Sequence, residues 1–211
     1  KVFKILQFVK SKVKWNGYNS KYTDLGVKKA YKEGVGNSAD INLMLTSMLK
    51  KSGLKAFPIL ISTRSHGVPV SPTIEGFNYV IVGVKLQGKM MYLDATEKFS
   101  TPNTLPLRAI NWKGRIIYNN EDSEWGSLVP KNYSLDENYM SIAFDDEMEI
   151  TGMMRTIYTN LNALNYRSKS NHVKEDAIIE ALENKYHIEI DAFKVSNEKN
   201  ILKSLVRTFK F

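Results

Sequence analysis

The chain has 211 residues, of which 43% are hydrophobic and 25% charged, which suits one domain, or one domain with a small appendage, folded around a core that needs no staple. It contains no cysteine, which excludes disulfides, thiolate metal sites and a thiol nucleophile, and its three histidines, His66, His172 and His187, are too scattered for a histidine metal site. The net charge is +8, and residues 1–60 hold 12 Lys and no Arg against Asp24, Glu33 and Asp40; these lysines lie off the apolar stripe with no nucleic-acid motif beside them, so they read as solvated faces and nucleic acid is not an expected partner.

In chain order, Val2, Ile5, Leu6, Val9 and Val13 recur at helical spacing and predict an amphipathic helix stopped near Gly17. A short helix is expected over residues 25–31, and Gly34 and Gly36 mark a turn. The next helix should run from Ser38 to Lys51, with Ile41, Met44, Leu45, Met48 and Leu49 buried. Asn37 suits its N-cap and Asp40 the reciprocal position of a capping box, while Lys50, Lys51 and Gly53 suit its end. Residues 56–63 read as a buried strand, and 77–86 and 89–95 as a hairpin about Gln87-Gly88. Residues 97–125 look irregular. Beyond Trp125, strands are expected over 139–144, 148–158, 188–195 and 202–211, with helices over 160–169 and 173–186. The division into domains is expected as 1–125 and 126–211. No apolar run approaches the ~18 residues of a membrane span. A helix-like start and a strand-like end predict a fragment of a longer protein, so any membrane attachment would come through other segments.

The chemistry to look for begins at Gly36-Asn37-Ser38-Ala39-Asp40-Ile41-Asn42. A residue at a buried helix N-terminus is where thiol acyl-transfer enzymes place a nucleophile, because the free N–H groups and dipole stabilise an anion there. A base on one neighbouring strand and an orienting acid on the next complete such a site. With Gln87 and Gly88 as the two loop residues, Ile81 faces Asp94 and Tyr79 faces Thr96. Tyr79 and Asp94 are then diagonal neighbours on one face, roughly 7–8 Å apart by backbone.

These stretches, with Leu54–Arg64, Phe77-Asn78-Tyr79-Val80-Ile81 and Tyr92-Leu93-Asp94-Ala95-Thr96, resemble the transglutaminase-like superfamily over roughly residues 1–118. The resemblance is to the bacterial multi-domain envelope type. It implies an α+β, papain-like core: N-terminal helices and a central buried helix packed on an antiparallel sheet. A smaller β-rich segment with two helices would follow. Active relatives carry Cys, His and Asp where this chain has Ser38, Tyr79 and Asp94. Only Asp94 matches. A serine needs a base to become a nucleophile, and a tyrosine with an ordinary pKa near 10 presents a donor where an acceptor is wanted.

The resemblance therefore implies a non-catalytic module with a degenerate triad, periplasmic or in the cell envelope. It would bind neighbouring domains of the same polypeptide, or a peptide or glycan, in a cleft formed by Trp15, Asn37, Ser38, Asn78 and Tyr79. No cofactor or metal is expected. The alternative is an acyltransferase or peptidase-like enzyme using Ser38 with Asp94 and an unconventional base, for which His66 is the candidate. Locally, Ser38 reads as a first-turn residue hydrogen-bonded nearby, Tyr79 as a packed aromatic, and Asp94 as an acceptor for Tyr79 or adjacent amides. Trp15, Trp112 and Trp125 read as packing residues.

Overall fold

A computed structural model describes all 211 residues. They form two compact units, Lys1–Lys131 and Asn132–Phe211. Each combines helices with an antiparallel sheet, so the fold class is α+β. A boundary at 126 would cut through a strand, Ser123–Ser127, which pairs along its whole length within the first unit. The division therefore falls later in the chain.

The first unit opens with α1 (Val2–Lys12), whose Val2, Leu6 and Val9 are buried on one stripe. Two short strands, β1 (Lys14–Trp15) and β2 (Val35–Gly36), pair in parallel around α2 (Val27–Glu33). The latter starts later than expected because Gly26, at φ +77°, occupies its N-cap position. Next comes α3 (Ser38–Lys51), with the bounds the sequence predicts. Its capping box is complete: Asp40 N donates to Asn37 Oδ1 at 2.9 Å, and Asn37 N donates to Asp40 Oδ2 at 3.1 Å. Such caps contribute about 0.5–2 kcal/mol each. Ile41, Met44, Leu45 and Leu49 are buried in one cluster with Leu6, Val82, Val84 and Leu93.

That cluster lies against a sheet of five strands. They are β3 (Ala56–Ile61), β4 (Tyr79–Leu86), β5 (Lys89–Leu93), β6 (Lys113–Ile117) and β7 (Ser123–Ser127), in the order β5-β4-β3-β6-β7. The β4–β5 hairpin turns on Gln87 and Gly88, both at positive φ, the signature of a two-residue turn that matches strand twist. Its register pairs Leu86 with Lys89 and Val82 with Leu93, as the loop arithmetic requires. Strands β6 and β7 lie in the stretch expected to be irregular. Each carries a glycine, which weakens a strand signal. The glycine in β6 has a packing reason: a Cβ on Gly114 would come within 2.8 Å of Ile59 and Ile61.

The second unit comprises β8 (Asp136–Phe144), β9 (Ile150–Tyr158), α4 (Asn160–Ser170), α5 (Glu175–Tyr186), β10 (Ala192–Ser196) and β11 (Leu205–Lys210). Its sheet runs β10-β11-β9-β8, and Met154, Leu182 and Phe209 form its core. The last two strands start later than expected: only Ala192–Ser196 and Leu205–Lys210 pair with each other, and a turn occupies residues 201 and 202. No helix is long and apolar enough to cross a membrane.

Candidate functional site

The loop over residues 18–26 and the turn at Gly36-Asn37 meet at the N-terminus of α3. Gly36 must be small, since a Cβ there would lie 2.8 Å from the Asp40 Cβ. Asp40 in turn accepts from Gly26 N at 2.9 Å through Oδ1. The capping box and this second bond fix the first turn of α3 on the loop before it. Ser38 is therefore held at the helix start, and it is fully buried.

Its surroundings decide what it can do. The Ser38 hydroxyl donates to Ser20 O at 2.8 Å and accepts from Ser20 N at 2.8 Å. Its backbone N donates to Tyr18 O at 3.2 Å, and the Trp15 indole donates to the same oxygen at 3.0 Å. Asn37 Nδ2 donates to Tyr22 O at 2.9 Å. Residues 18–22 thus form a strap over the helix terminus. Two N–H groups converging on one oxygen, beside a residue at a helix start, is the arrangement that stabilises an oxyanion in acyl transfer. Here the oxygen between them is the chain's own Tyr18 carbonyl.

Tyr79 and Asp94 meet as the hairpin register requires. Tyr79 OH donates to Asp94 Oδ2 at 2.9 Å, and both residues are fully buried. The other carboxylate oxygen accepts from Asn42 Nδ2 at 3.0 Å, Thr96 N at 2.9 Å and Thr96 Oγ1 at 2.7 Å. Asn42 completes its amide by donating to Val80 O at 2.8 Å and accepting from Ala95 N at 2.9 Å. Burial first, and the Asp94 charge second, push the Tyr79 phenol well above its ordinary pKa, against weaker pulls from Arg108 and Thr96. The group is therefore a fixed donor. No hydrogen bond joins Ser38 to Tyr79 or to Asp94.

Arg108 closes this network. Its Nη2 donates to Thr96 Oγ1 at 2.8 Å, its Nε lies 3.4 Å from Tyr79 OH, and its Nη1 is 3.5 Å from Glu97 Oε2. The guanidinium stacks on Trp15 at 4.3 Å from the ring centroid. Burial works against its charge, but the hydrogen bond to the Tyr79 oxygen and the charges of Asp94 and Glu97 outweigh it and hold its pKa above the ordinary value. Lys10 lies behind, donating to Ser100 O at 2.6 Å and Ser100 Oγ at 2.7 Å. Burial lowers its pKa to about 8, with Asp94 and Glu97 opposing.

The five residues expected to share a cleft do not form one. Asn37, Ser38 and Tyr79 are buried, Asn78 is engaged by Thr63 through both its side-chain atoms, and Trp15 is capped by Arg108. Steric closure by the strap and the guanidinium is the reason. His66 is exposed and pairs with Glu75 O at 2.9 Å, not with Ser38. A pocket lies beside the strap: Lys21, Tyr22, Leu60, Ile74, Phe77 and Arg115 line a space of about 400 Å³. Nothing in the sequence marks Ser20 or Arg108 as a site residue. Thr96 is legible only as the residue opposite Tyr79 in the hairpin, and Asn42 only as a polar residue among the apolar positions of a buried helix face. No cluster of His, Cys, Asp and Glu could hold a metal ion.

No family model, no curated protein and no solved structure matches the chain.

Proposed function

We propose that the first unit is a non-catalytic transglutaminase-like module, a binding or scaffolding domain of a larger bacterial envelope protein, located in the periplasm or cell envelope. The observation that carries this reading is the Tyr18 carbonyl, held by the Ser38 N–H and the Trp15 indole. Acyl transfer needs a deprotonated nucleophile, a base to take its proton and donors free to receive the oxyanion. The Ser38 proton is given to Ser20 O. Tyr79 keeps its own proton on Asp94, and at an ordinary pKa near 10 only about one tyrosine in a thousand would be ionised at neutral pH, a fraction that its raised pKa lowers further. The donors are occupied by the strap. Each of these three observations supports the non-catalytic reading on a separate physical ground.

Binding falls to the surface beside the closed site. The pocket at Lys21 and Arg115 sets two cations next to Leu60, Ile74 and Phe77, which suits an extended peptide or a glycan bearing an acidic group, or an equivalent segment of a neighbouring domain. The fold-level step is analogy.

Hydrolysis of an activated ester and amine transfer to an acceptor peptide test the reading. Wild type and Ser38→Ala should both stay at the uncatalysed rate. Wild-type turnover that Ser38→Ala abolishes would replace this reading with serine-based catalysis.

A further inference from the structure

The second unit has two edge strands, β10 and β8. Strand β8 is an edge strand, and all nine of its residues, Asp136–Phe144, are exposed. It pairs with β9 without interruption from Asp136↔Tyr158 to Phe144↔Ile150. The pairing of β11 with β9 ends at Met153, extended only by the bonds between Phe211 and Gly152. The tip of the β8–β9 hairpin therefore projects past the rest of its sheet.

Cross-strand pairs share a face of the sheet. Met140 is paired with the core residue Met154, so Met140, Ile142, Phe144 and Ile150 continue the apolar face that α5 covers elsewhere. They are 56%, 50%, 64% and 56% exposed. A run of large apolar residues leading out of a core onto an uncovered hairpin marks an interaction surface. Natural sheets usually blunt such an edge with charged side chains, Pro or a bulge. From Asn138 to Phe144 this strand has none of the three, its two charges, Asp136 and Glu137, lying at its start.

The charge of the hairpin selects the partner. Residues 132–154 contain Asp136, Glu137, Asp145, Asp146, Glu147 and Glu149 and no Lys or Arg, the one cation of the hairpin being Arg155, opposite Tyr139, in a chain of net charge +8. None of the six carboxylates forms a salt bridge. The acids flank the apolar run on both sides. Antiparallel pairing of β8 with a second β8 would set Asp136 and Glu137 of one copy near Asp145 and Asp146 of the other, which is repulsive.

We propose that β8 is a docking edge for an extended polypeptide segment that has alternating apolar residues and Lys or Arg at both ends, added antiparallel as a fifth strand. The segment satisfies the outward N–H and C=O groups of β8, covers Met140, Ile142 and Phe144, and places its cations against the flanking carboxylates. This inference stands on residues 132–211 alone and is independent of the chemistry assigned to Ser38.

The test uses the 211-residue chain and a fluorescent synthetic peptide of alternating Val and Thr with two lysines at each end. Anisotropy should show saturable binding that weakens at high salt. Hydrogen exchange should slow at β8 and not at β10. A peptide with glutamates in place of lysines should bind at least about tenfold more weakly, as should one N-methylated at alternate amides. The double variant Ile142→Lys/Phe144→Lys should lose binding without losing its circular dichroism, since both side chains are already mostly exposed. Equal binding of the lysine and glutamate peptides, or no protection of β8, would overturn the proposal. So would a dimer that protects β8 without peptide, which assigns the edge to a second copy, or binding to phosphatidylcholine vesicles in place of the peptide. If the double variant does not fold, the N-methylated peptide decides alone.

Discussion

Replacing Tyr79 with Phe separates a structural network from a catalytic one. The ring is fully buried, so Tyr79→Phe leaves its packing in place and opens no cavity. It removes the proton that the phenol donates to Asp94 Oδ2 at 2.9 Å. That oxygen then has no donor in a site without solvent. Hydrogen bonds to a buried charged group are worth about 1.5–3 kcal/mol. The phenol oxygen also lies 2.6 Å from Thr96 Oγ1, a contact that the substitution removes as well, while the Arg108 contact at 3.4 Å is too long to add much. The expected loss is therefore about 1.5–3 kcal/mol, or a fall in Tm of roughly 5–10 °C for a unit of this size. The three tryptophans, Trp15, Trp112 and Trp125, all lie in the first unit, so urea unfolding followed by tryptophan fluorescence, excited where tyrosine does not absorb, reports on that unit alone. A lower midpoint with an unchanged slope is the predicted result. A change within about 0.5 kcal/mol, the range of an ordinary surface substitution, would refute the reasoning.

Arg108→Ala should cost about 1–3 kcal/mol by the same fluorescence assay, and it should shift Trp15 emission to the red as the ring loses its cover. Gly36→Ala forces a Cβ to within 2.8 Å of the Asp40 Cβ, with an expected loss of about 1–3 kcal/mol in thermal unfolding. Lys10 gives a pH signature. Its folded pKa, about 8, lies below the ordinary 10.5, so between those values the unfolded chain binds more protons. Stability should then rise with pH across that window, by roughly 3 kcal/mol in total, and the wild-type minus Lys10→Met difference should carry the rise. The double variant Ser38→Cys/Tyr79→His introduces a thiol nucleophile and an imidazole base but leaves the Tyr18 carbonyl between its two donors. Any ester hydrolysis it gains should stay weak, since a lost oxyanion donor alone costs about 10²–10³ in kcat.

Local signals carried the frame of the first unit. Asn37, Asp40 and Gly53 bound α3 because caps and stops are decided within a few residues. The Gln87-Gly88 turn set the hairpin register, and with it the meeting of Tyr79 and Asp94, because a two-residue loop leaves one alignment. What the sequence hid depends on contacts between distant segments. Arg108 lies 29 residues from Tyr79 in a stretch with no periodicity, and nothing local marks it as the group that caps Trp15. The strap is a loop whose backbone, not its side chains, fills the site at Ser38. No residue type at 18–22 announces that. β6 and β7 were missed because Gly114 and Gly126 lower strand propensity, although the packing of Ile59 and Ile61 leaves no room for a Cβ at Gly114.

The most direct test of the closed site is chemical. A fluorophosphonate reacts with a serine that has a working base and oxyanion donors, and each adduct appears in the intact mass of the protein. With the Ser38 hydroxyl bonded to Ser20 and the Ser38 N–H and Trp15 indole both occupied by the Tyr18 carbonyl, the chain should show no adduct after prolonged exposure. Stoichiometric labelling that maps to Ser38 and disappears in Ser38→Ala would contradict the account.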